Sequence, residues 1–132
     1  DTGFDIYSQS LAIRPDDKAD LDACLTQVVP IIQQSTVDYA ASPAHANAVI
    51  IDTVEQFADW WVYDAARAEF AHATMVETGL IGNGPDGTLG NMDPDRVQGV
   101  IDQLVAAGMD VPSGLSAADI MTNEYIDDSI GL

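Results

Sequence analysis

The chain has 132 residues and sets 22 acids against 4 bases, a formal charge of −18 with a sequence pI of about 4.1. So few cations cannot neutralise a run of phosphates, which excludes nucleic acid as a partner, and an anionic membrane surface repels the chain for the same reason. Apolar residues at 47% and a mean hydropathy of +0.04 are ordinary globular values, and a single domain of this size buries roughly two-thirds of its unfolded surface without help from disulfides or metal.

Residues 4–13 (FDIYSQSLAI) open with alternation: Phe4, Ile6 and Ser8 fall on one face, Asp5, Tyr7 and Gln9 on the other. The spacing predicts a strand that Pro15 and Asp16–Asp17 stop. A lone strand needs partners from elsewhere, so the segment is expected to insert into a larger sheet or to exchange strands in a homodimer. From there on the period is helical. Leu21, Leu25, Val28, Val29 and Ile32 make one stripe of a helix reaching about Ala41, with Pro30 inside it removing one backbone bond. Ser42-Pro43 reads as N-cap and first residue of a second helix, with Ala46, Val49, Ile50, Val54 and Phe57 facing inward. A third helix runs from about Asp64 to Gly79, with Phe70 and Ala73 inward.

The stretch 80–92 (LIGNGPDGTLGNM) holds four glycines, two asparagines and a proline and predicts a long irregular loop. Asp93-Pro94 restarts a helix whose stripe is Val97, Val100, Ile101, Leu104 and Val105 and which Gly108 ends. Ser116 and Asp119 have capping-box spacing, with Asp in place of Glu, and open a last helix to about Asn123. The expected fold is mainly α with one or two strands, residues 1–132 forming a single unit.

No catalytic or metal-ligating set emerges. Gly82-Asn83-Gly84-Pro85-Asp86-Gly87 matches the glycine pattern of phosphate loops. That mechanism needs a strand before it and a helix N-terminus directly after it, and here turn chemistry accounts for the match. Starting a calcium loop at Asn83 puts Pro85 and Gly87 where oxygen ligands belong. His45, His72 and Cys24 make at most an incomplete zinc set, and Cys24 beside the Leu21/Leu25 stripe reads as a small core thiol. Trp60, Trp61 and Tyr63 read as packing at an interhelical corner. The chain is expected to be no enzyme and to need no cofactor. Tyr7, Ser8 and Gln9 are the candidate ligand-binding residues, because a strand that joins a larger sheet presents their hydroxyl and amide groups to a cleft.

Three stretches taken together resemble the solute-binding proteins of ABC importers, of the sulfonate, nitrate and thiamine-precursor type: GFDIYSQSLAIRP at 3–15, the helix series 21–58 with its VVPIIQQSTVDYAASPAHANAVIIDTV pattern, and the closing GLSAADIMTNEYIDDSIGL at 114–132. WVYDAARAEF at 61–70 and GLIGNGPDGTLGNMDPDRV at 79–97 are similar to actinobacterial members. The resemblance covers nearly the whole chain, but such proteins have two α/β lobes and more than twice this length. It therefore implies a C-terminal portion of a type II periplasmic-binding-protein-like α/β fold, with 4–13 as the strand crossing between lobes. It also implies an exported, lipid-anchored parent that closes a cleft on a small molecule and delivers it to an ABC permease. The alternative reading of the residues is a free-standing acidic helical module that docks on a basic partner.

Overall fold

The computed structural model describes residues 4–7, 9–57 and 60–132. Among the described residues, one 3-10 turn, Pro15–Asp17, leads into five helices: α1 Lys18–Ala41, α2 Ala44–Phe57, α3 Ala65–Glu77, α4 Pro94–Ala106 and the single turn α5 Ala117–Ile120. Helices α2 and α3 pack as one pair and α4 and α5 as another.

Local chemistry explains most of the boundaries. Asp64 caps α3, its carboxylate accepting from the Arg67 backbone at 2.9 Å. Asp93 caps α4 by accepting from the Asp95 backbone at 2.9 Å, with Pro94 at the first helical position. Ahead of α5, Asp119 accepts from both the backbone and the hydroxyl of Ser116, at 2.9 and 2.6 Å. Gly79 and Gly108 end α3 and α4 with φ of 71° and 75°, the left-handed conformation that favours glycine. Ser42 closes α1 rather than opening α2: its N–H donates to Asp38 O at 2.8 Å, and Pro43 supplies the first carbonyl of α2, to Asn47 N. Helix α1 runs unbroken through Pro30, and α5 stops three residues short of Asn123.

The expected strand and the α/β fold class are overturned. Residues 4–7 and 9–13 take neither helix nor strand, and the only β-type pairing among the described residues is an isolated antiparallel bridge, Asn83 to Leu89. The described chain is all-helical and holds no sheet. The physical reason is that the segment has no backbone edge to pair with. Its carbonyls at Asp5 and Ile6 accept from the Arg96 side chain instead.

The core is thin. Val97, Ile101 and Ala117 form its buried cluster, with Tyr7, Met92, Val111, Leu115 and Met121 packed against it. Leu25, Val54, Ala68 and Leu89 are buried separately, and no large side chain of the described residues is fully buried. Of the residues expected inward, Ile32, Val49, Ile50, Phe57, Phe70, Ala73 and Val105 are exposed. Cys24 is exposed as well, so it is not a core thiol. Trp60 is 87% exposed, although Trp61 does meet Tyr63, ring centres 5.6 Å apart.

Backbone groups that a sheet would pair are met here by carboxamide side chains. Asn123 brackets Met92, accepting from its N–H at 2.9 Å and donating to its C=O at 2.8 Å. Gln33, buried on α1, does the same to Asp127 at 2.9 and 3.2 Å and also donates to Leu89 O at 2.8 Å. Asn83 brackets Leu132 at 2.8 and 3.0 Å. These clamps, with a Leu89-to-Ile130 backbone bond of 3.0 Å, fasten residues 83–92 and the tail 123–132 to each other and to α1. Each amide presents a donor nitrogen and an acceptor oxygen side by side, as a strand's backbone does, and its second N–H lets Gln33 reach a further carbonyl.

Candidate functional site

Two solvent-open recesses on the described surface adjoin the N-terminal segment and the tail. The first, about 330 Å³, is lined by Asp5, Asp93, Arg96, Gly99, Val100 and Gln103. It lies where the N-terminal segment meets α4, beside Tyr7. The Tyr7 hydroxyl accepts from the backbone N–H of Asp93 at 2.9 Å, and the Arg96 guanidinium stands over its ring, 4.0 Å from the centre. Arg96 donates from Nε to Asp5 O at 2.9 Å, and from Nη2 to Asp5 Oδ1 at 2.6 Å and to Ile6 O at 2.9 Å. This cation is therefore committed to its own chain. An anionic ligand in the recess would have to displace Asp5, whereas a neutral polar molecule meets carboxylate, amide and aliphatic surface side by side.

The second recess, about 540 Å³, lies between the start of α1 and the tail, lined by Pro15, Lys18, Ala19, Asp22, Glu124 and Tyr125. Lys18 Nζ donates to Glu124 Oε2 at 2.5 Å and stands 5.9 Å from the Tyr125 ring centre. The Tyr125 hydroxyl donates to Asp22 Oδ1 at 3.1 Å. Desolvation first, then the neighbouring Glu124 and Asp22 carboxylates, push the Tyr125 phenol up to about 12. Contact with Lys18 holds Glu124 below the usual carboxylate range. This arrangement fastens the tail to α1 and leaves no free nucleophile or base.

Tyr7 thus stands beside a recess as a half-buried anchor, Gln9 is exposed and lines neither recess, and Ser8 lies outside the described residues. Sequence reasoning missed Arg96 and the clamps. One signal was available for Gln33: it follows Leu25 and Val29 at successive four-residue steps, a polar side chain on the buried stripe. Asn83 and Asn123 had none, because pairing an amide with a distant backbone leaves no period in the sequence. No group of side chains able to hold a metal ion occurs among the described residues, and none of the helices there is long and apolar enough to cross a membrane.

No family model, curated protein or solved structure matches the chain.

Proposed function

We propose that the chain is a helical portion of the solute-binding component of an ABC importer, an exported and lipid-anchored protein that captures a small organic molecule, or an oxyanion that takes the place of Asp5 on Arg96, and delivers it to a permease. The observation that carries the reading is the state of the N-terminal segment. It is anchored by Tyr7 and the Arg96 clamp, while Phe4, Ile6, Leu11 and Ile13 are 43, 45, 56 and 36% exposed. Such a surface fits a chain that meets another polypeptide body at this edge, with the ligand taken at the seam beside Tyr7. The three stretches that resemble importer binding proteins support the same reading. A thermal-shift screen of the protein from the complete gene against sulfonates, pyrimidines and flavins tests it. One class raises Tm by mass action, and Tyr7→Phe weakens that rise. A protein that none of them stabilises, encoded away from any permease gene, overturns the reading.

One observation favours the second reading, an acidic interaction module. Each of the four cations is already paired within the chain: Arg14 with Asp17, Lys18 with Glu124, Arg67 with Asp64 and Arg96 with Asp5. With every base already paired, the excess of acids over bases, −18 in formal charge, has no cation of the chain left to balance it and attracts a basic partner. Capture of such a partner falls steeply as salt rises; capture indifferent to salt counts against it.

A further inference from the structure

We propose that Asn83 is a site of spontaneous deamidation, that the loop–tail clamp holds the reaction off in the folded chain, and that its product unlatches the tail. Among the four asparagines, Asn83 alone precedes glycine; Asn47, Asn91 and Asn123 precede Ala48, Met92 and Glu124. Glycine has no Cβ to block its own nitrogen from folding back onto the preceding side chain. In the reaction the Gly84 backbone nitrogen bonds to Asn83 Cγ and gives up its proton, the Cγ–Nδ2 bond breaks, and ammonia leaves. Water then opens the cyclic imide at either carbonyl, giving aspartate or its isomer linked through the β-carboxyl. Nothing is oxidised or reduced, and water is the only co-reactant.

Asn83 is exposed, so water reaches it. The fold nevertheless occupies both reacting groups. The Gly84 N–H donates to Thr88 O at 2.8 Å, which ties up the attacking nitrogen. The Asn83 carboxamide accepts from Leu132 N at 2.8 Å and donates to Leu132 O at 3.0 Å, which fixes Cγ in the clamp. Attack thus waits for a local opening that breaks all three bonds, and the native rate is the unfolded rate scaled by the open population.

The product cannot restore the clamp. Aspartate has no N–H to give to Leu132 O and sets a carboxylate oxygen against that carbonyl. The isomerised residue adds a main-chain carbon inside the Asn83–Leu89 bridge and shifts its register. Either change loosens the neighbouring Leu89-to-Ile130 bond.

Mass spectrometry of the peptide holding Asn83, during incubation of the intact protein at mildly alkaline pH, tests the proposal. Loss of ammonia separates the reaction from mass-neutral isomerisation at Asp86-Gly87. Asn83 should deamidate before the other asparagines, and at least roughly tenfold more slowly in folded protein than in urea, since the three bonds together are worth more than 1.4 kcal/mol. Gly131→Ala gives a second lever: a Cβ there would stand 2.5 Å from Gly87 O and 3.3 Å from the Asn83 amide, so it pushes the tail off the loop without changing the reacting pair. It should speed the reaction at Asn83 alone. In the aged fraction separated by ion exchange, the Leu89 amide should exchange hydrogen roughly tenfold faster. Equal rates in folded and urea-unfolded wild type, or unchanged Leu89 exchange in the aged fraction, overturn the proposal, and neither measurement depends on a variant that folds.

Discussion

Gln33 is 3% exposed, and its carboxamide reaches three backbone groups belonging to two separate segments. Replacing it with leucine keeps the volume and strands those groups without partners, so Gln33→Leu should lower stability by roughly 2 kcal/mol in urea unfolding. The titrating residues around the tail give pH predictions of opposite sign. Asp119 and Asp127 are held below the usual range by Ser116 and Ser129, and Glu124 by Lys18. Their stabilisation is present above the ordinary carboxylate pKa and is lost as pH falls through the lowered folded value. Tyr125 behaves the other way. Its contribution is complete below the ordinary phenol value of 10.0 and fades as pH rises towards about 12. Unfolding curves across that alkaline interval should flatten in Tyr125→Phe, and a slope equal to wild type would show that the hydroxyl is not held in this way.

The helix ends were the most legible part of the sequence, because a cap is a short-range arrangement of a few residues. Asp64, Asp93, Ser116 with Asp119, Gly79 and Gly108 all act where the sequence places them. Asp93→Ala should cost about 1 kcal/mol in thermal unfolding through loss of the α4 cap. Burial was less legible. A stripe such as Ala46, Val49, Ile50 and Phe57 shows that α2 has an apolar face but not what lies against it, and Val49, Ile50 and Phe57 remain exposed. Period alone could not distinguish a paired strand from an unpaired one at 4–13, since alternation describes side chains while pairing depends on a second backbone. Of the candidate site, Tyr7 stood out in the sequence and its contacts Asp93 and Arg96 did not, since those partners lie 86 and 89 residues away in the chain.

At the scale of the molecule, charge and exposed apolar area pull in different directions. With each cation already paired, added salt has few attractions to weaken and much repulsion to screen, so Tm should rise as ionic strength goes from low to about 0.15 M, where the Debye length is about 8 Å. A falling Tm would show that the four ion pairs outweigh the repulsion. The apolar side chains of 4–13 should drive the 132-residue chain to associate as its concentration increases. Sedimentation velocity reads this directly: wild type shifts to faster species, whereas Ile6→Asp with Leu11→Asp stays monomeric.

The carboxamide clamps make attachment of the tail separable from the path of the chain. Backbone pairing between strands is common property of every sequence, since each residue but proline brings the same donor and acceptor. A clamp built from Gln33, Asn83 and Asn123 exists only while those three side chains do. One base change in the gene, or one lost ammonia, removes a rung that a true sheet would keep. How firmly this tail is held is thus a heritable, individually adjustable quantity, set in large part at the codons of these clamps and of the Lys18–Glu124 and Tyr125–Asp22 contacts.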